Sequence, residues 1–89
     1  MKTKNNINPV TPGQVYAVTK GTLLGSNLVI VKENSTTYSC LNLPDMENID
    51  IIKDDMTTGL ENEILELLET LPSDIMSICT KQHEKNINN

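Results

Sequence analysis

Four short runs rich in β-branched residues follow one another at about ten-residue spacing, with turn residues and no helical pattern between them. They are Gln14 to Lys20 (QVYAVTK), Asn27 to Glu33 (NLVIVKE), Thr37 to Asn42 (TYSCLN) and Ile49 to Lys53. Pro12-Gly13, Gly21, Gly25 and Asn34-Ser35 bound the first two, and Leu43-Pro44-Asp45 turns the chain before the fourth. Such runs read as strands. With no helix between them to make a crossover, they point away from a parallel α/β sheet and toward a small antiparallel barrel or sandwich.

After the fourth run the period changes. Leu60, Ile64, Leu67, Leu68 and Leu71 fall at i, i+4, i+7, i+8 and i+11, one stripe of a helix. The spacing predicts a helix over residues 59–71. Thr58 and Glu61 make a capping box at its start, Gly59 is tolerated at the first position, and Glu61, Glu63, Glu66 and Glu69 take the opposite face. Pro72 ends it, and Ser73 opens a second short helix over 74–82 carrying Ile75, Ile78 and Cys79. The apolar stripe is expected to cover the open side of the β module, which makes the fold α+β. Eighty-nine residues suit one domain. It is expected over 9–82, with its β module over 13–53. Residues 1–8 and 83–89 are rich in Asn and Lys without apolar periodicity and read as flexible tails.

Composition narrows the function. The chain has no Trp, Phe or Arg, and Tyr16 and Tyr38 are its only aromatic residues. The core must therefore be built from Leu, Ile, Val and Met. Arg is the preferred bidentate partner of phosphate and guanine, so its absence argues against tight sequence-specific DNA reading. The net charge of −5 is unevenly spread. Residues 1–32 hold four Lys and no acid, a balance of +4, whereas residues 33–89 hold three Lys and all twelve acids, a balance of −9. A basic front and an acidic back suggest two faces with different partners, or one binding face and a solvated helix. No segment resembles a secretory signal or approaches the roughly 18–20 apolar residues of a membrane span. Cys40 and Cys79 are expected to be reduced, buried thiols of a cytoplasmic protein.

Catalytic and metal constellations are not found. The single His83 stands beside Glu84 and Lys85 in the expected tail, with no nucleophile and third partner to complete a triad. The two Cys have no zinc-ligand spacing. Asp54-Asp55 and Glu61-Glu63 lack the spacing of a calcium loop, and carboxylates at a helix start need no ion because the helix dipole favours them. Gly21 to Gly25 is not followed by the Lys-Ser/Thr of a phosphate loop. Met46 and Met56 read as core fillers. No catalytic residue, metal or cofactor is expected.

The stretch Pro12 to Lys32, PGQVYAVTKGTLLGSNLVIVK, resembles the KOW motif of SH3-like barrels in ribosomal proteins and NusG-type elongation factors. The matching positions are Val15, Ala17 or Val18, Gly21, Gly25, Leu28, Val29 and Val31. Gly21 suits a tight strand-to-loop turn with positive φ. The likeness covers about twenty of the 89 residues, and it departs from the pattern where Ser26-Asn27 replaces a glycine and where the usual Arg residues are missing. It implies a small antiparallel SH3-like β-barrel followed by one or two C-terminal helices. It also implies docking on nucleic acid or on a ribonucleoprotein or polymerase, through Lys20 and Lys32 with Tyr16, Thr22 and Asn27. The same stretch resembles the MazF/PemK toxin barrel, whose RNA cleavage centres on an Arg that this chain lacks.

Beside a relative of those RNase toxins, the weakest of three readings, two others follow. One is a non-enzymatic module touching nucleic acid or the transcription or translation machinery. The other is a protein–protein inhibitor or adaptor acting through an acidic helix, with Glu61, Glu63, Glu66 and Glu69 as its contacts. The eleven Asn with abundant Ile and Lys are similar to the composition of small accessory proteins of tailed bacteriophages, for which the partner would be a host protein.

Overall fold

A computed structural model describes residues 9–43 and 45–88. The chain runs through β1 (Gln14–Val18), β2 (Asn27–Glu33), β3 (Thr37–Asn42) and β4 (Glu47–Ile52), then α1 (Lys53–Glu61), β5 (Leu65–Thr70) and α2 (Ser73–Ile87). All strand pairings are antiparallel, and the sheet order is β4-β3-β2-β1-β5. The first four strands form a meander, and the last returns beside the first. The protein is α+β as expected, an antiparallel sheet followed by a C-terminal helix, in a strand order compatible with a small barrel-like domain.

Period-two alternation sends neighbouring residues to opposite faces. Tyr16, Val18, Leu28, Ile30 and Cys40 face one way and bury with Met56 of α1. Val15, Val29, Val31 and Leu41 face the other way and bury with Cys79 of α2. Each helix thus covers one face of the central strands, so Leu28 to Val31 are all buried in succession. The register slips between Ile30 and Lys32 on β2 and between Val15 and Tyr16 on β1, the latter leaving Leu68 of β5 without a direct partner. Cys40 and Cys79 are free and buried, as expected.

The second half departs from expectation. The helix over 59–71 does not form. Helix α1 starts at Lys53 and ends at Glu61, so Thr58 and Glu61 lie in its last turn, and no side chain caps its start. Asp54 and Asp55 in the first turn favour the earlier start through the helix dipole. The chain then reverses at Asn62 and Glu63, the latter with φ of +61°, and Leu65–Thr70 becomes a strand. The cause is tertiary. β1 has four of its five residues buried, and pairing only with β2 would leave its other edge of N–H and C=O groups without partners. β5 satisfies that edge. The expected burial of Leu67 and Leu68 is overturned with the helix: they are 40% and 50% exposed.

Helix α2 starts at Ser73 behind Pro72, without a side-chain cap, and runs to Ile87, five residues past the expected end at 82. Residues 83–88 are therefore not a tail. His83 is buried, and its carbonyl accepts a bond from Asn48 Nδ2 at 3.1 Å. Met46 also departs, being exposed in a turn with φ of +60° rather than filling the core. The expected tail over residues 1–8 lies outside the described residues, as do Pro44 and Asn89.

Candidate functional site

The connection from β1 to β2 is a wound loop closed on itself. Gly25 N donates to Val18 O at 3.1 Å, Ser26 N to Leu23 O at 2.9 Å and Leu24 N to Gly21 O at 3.2 Å. Gly21 and Gly25 both have φ of +91°. A Cβ at either would meet no atom within 4 Å, so glycine is needed there for backbone conformation and not for space. The positive φ expected at Gly21 is present.

Thr19 fastens this loop to the turn before β5. Its N–H donates to Ile64 O at 2.8 Å, and its hydroxyl to Glu63 O at 2.7 Å. Beneath the loop, between it and α1, lies a cavity of about 320 Å³. Its walls are aliphatic, from Val18, Leu23, Leu28, Ile51, Ile64 and Leu65, and its rim carries Lys20, Thr22, Asp55 and Thr58. The rim therefore presents both signs of charge over an apolar interior. A second cleft, about 300 Å³, adjoins it at Leu65 and is lined by Thr19, Glu63 and Glu66.

The residues expected to touch nucleic acid are not one surface. Lys20 and Thr22 share the cavity rim, and Asn27 stands half-buried where the loop enters β2. Lys32 is exposed opposite Ser39, five residues further along β2, or roughly 17 Å away at strand rise. Tyr16 is 2% exposed, its hydroxyl donating to Gln14 Oε1 at 2.7 Å, so its ring belongs to the core and is not offered to a ligand. Lys53 is engaged elsewhere, 2.7 Å from Glu33 and over the ring of Tyr38.

The four glutamates do not share a helix face but follow one another along the chain from the end of α1 into β5. Glu61 ends α1, Glu63 is in the turn, and Glu66 and Glu69 lie on β5; all are exposed. No Lys or Arg occurs anywhere over residues 54–80, which hold seven acids. Among the described residues β5 itself pairs only with β1 and forms one margin of the sheet. The site that sequence reasoning missed is this strand margin together with the cavity at its start. Its one local signal is the alternation Leu65-Glu66-Leu67 after the helix-breaking pair Asn62-Glu63. The cavity has no local signal, because its walls come from β1, β2, β4, α1 and β5.

Burial pushes the Cys40 thiol up to about 12, with Asp50 nearby adding to it, and burial also raises Cys79. Burial likewise raises Tyr16, with Tyr38 adding to it. Among the described residues, no three His, Cys, Asp or Glu side chains gather as a metal site requires. Among the described residues, too, no helix is long and apolar enough to cross a membrane. The chain matches no protein-family model, no curated protein and no solved structure.

Proposed function

We propose that this protein is a non-enzymatic module that docks on another protein through its acidic sheet margin. The observation that carries this reading is the placement of Glu61, Glu63, Glu66 and Glu69 along and beside β5, with Leu67 and Leu68 exposed among them. Exposed leucines on a sheet edge are a liability that proteins usually blunt with charged side chains, Lys above all, with Pro or with a cover. Here the stretch has carboxylates and no cation. Carboxylates with apolar side chains between them suit a partner that is basic and partly apolar.

Nucleic-acid docking has weaker support. A phosphate backbone needs several cations on one surface. Lys20 shares its rim with Asp55, and Lys32 stands at the far end of β2.

The test is capture from a host lysate, with and without nuclease. A nuclease-resistant partner is expected, lost from a bait carrying Glu66→Lys with Glu69→Lys and retained by one carrying Lys20→Ala with Lys32→Ala. Capture that disappears with nuclease, or with the lysine substitutions, would overturn the reading.

A further inference from the structure

The backbone of β5 gives the docking surface a geometry. Ile64 O accepts from Thr19 N, and Leu71 N donates to Gly13 O, so the bonds to β1 are placed at both ends of the strand. In an antiparallel ladder alternate residues turn their N–H and C=O groups to opposite sides. Counting from Ile64, the residues pointing away from β1 are Leu65 and Leu67, and counting back from Leu71 it is Thr70, the register shift at Leu68 lying between them. Their backbone groups line the margin of the sheet, because β5 has β1 as its only strand neighbour among the described residues. The same margin starts at Leu65, which is also a wall of the 320 Å³ cavity. A row of outward backbone groups, an apolar cavity at one end and a run of carboxylates therefore share one edge.

Resting on the protein-docking reading, we propose that β5 takes up an extended basic segment of a partner protein as an added strand, with one apolar side chain of that segment seated in the cavity beneath the glycine loop. In strand addition, main-chain bonds supply affinity and pockets for alternate side chains supply specificity. Both elements are present here. The charge selects the occupant. A second copy pairing β5 to β5 would bring Glu66 and Glu69 of one protomer beside those of the other, and like charges across strands destabilise the pair. A phosphate backbone meets the same repulsion. A segment alternating Lys or Arg with aliphatic or aromatic residues meets Glu63, Glu66 and Glu69 with opposite charge and can place its apolar residue beside Leu65. The aliphatic walls suit a large apolar side chain.

The experiment is a fluorescence-anisotropy titration of the full chain with a labelled peptide alternating Lys and Val around one central Phe. Controls are the same peptide with Glu for Lys, the same peptide N-methylated at alternate residues, and a 12-nucleotide RNA. The basic peptide is expected to bind at least tenfold more tightly than the acidic or N-methylated one. Leu67→Pro should weaken it at least tenfold, since proline is tolerated where a strand N–H faces away from the sheet. Thr58→Phe, which narrows the cavity, should weaken the Phe peptide more than one with Ala at that place. Equal binding of the N-methylated peptide would overturn strand addition whether or not the proline variant folds, and would leave protein docking through side chains standing. Binding of RNA but of no peptide would overturn both readings. Concentration-dependent dimerisation abolished by Leu67→Pro would assign the edge to a second copy and overturn the basic partner.

Discussion

At the scale of single residues, burial sets chemistry more than residue type does. Cys40 points into the core between Ile30 on β2 and Ile49 on β4, fully buried. Its thiol has a reference value of 9.0 and is raised to about 12 in the folded protein. Between those limits the folded state retains a proton that the unfolded state has lost, so stability falls as pH rises through that window. Below pH 9 the contribution is fully present. Urea denaturation of the wild type and of Cys40→Ala from pH 7 to 11 is expected to show a steeper downward slope above pH 9 in the wild type than in the variant, which keeps the contributions of the raised Cys79 and Tyr16. Parallel slopes would refute the assignment. The sequence showed that this thiol is buried but could not show the position of Tyr16. A tyrosine on an alternating strand reads equally as a core ring or a surface platform, and the choice depends on which face the helices cover.

At the scale of elements, the first four strands were legible, whereas the fifth was read as part of a helix. β2 and β3 have the expected bounds because turn residues flank β-branched runs on both sides. Leu60 to Leu71 satisfies a helical stripe, yet Leu65, Glu66 and Leu67 also alternate, and the choice between the two periods is made by the bonds that β1 requires. Intrinsic propensity differences of a few tenths of a kcal/mol per residue yield readily to such a demand. The consequence is measurable. Leu68, expected in the core from its place on the stripe, is half exposed, and Leu68→Ala should change stability by no more than about 0.5 kcal/mol. Met56, on the turn of α1 that faces the sheet, is 1% exposed, and Met56→Ala should cost about 2–5 kcal/mol through lost transfer and a cavity. Urea midpoints of the two variants check the pair, and a reversed order would restore the longer helix.

At the scale of the whole molecule, the C-terminal turns of α2 are tied to the far margin of the sheet. It begins beside β1, where a Cβ on Gly13 would lie 3.6 Å from Met76, and ends beside β4. There Asn86 Nδ2 donates to Met46 O and to Asn48 Oδ1, both at 2.9 Å, while its own Oδ1 accepts from Gln82 Nε2 at 2.9 Å. Asn48 completes the link through the His83 carbonyl. An Asn- and Lys-rich ending has the composition of a tail, and nothing in its periodicity shows that amides 38 residues apart in sequence will bond. Replacing Asn86 leaves Asn48 Oδ1 short of a donor in a partly buried place and returns the exposed Met46 carbonyl to water, at a cost of about 0.5–1.5 kcal/mol. Asn88→Ala, on the exposed residue that follows the helix, should be within about 0.5 kcal/mol of wild type. Urea midpoints again distinguish the outcomes, and hydrogen exchange localises them. Asn86→Ala is expected to speed exchange in α2 and at β4 while leaving β1 and β2 protected. Uniform loss across the sheet would show that the helix is part of one cooperative core, and no loss at all would return residues 83–88 to the status of a tail.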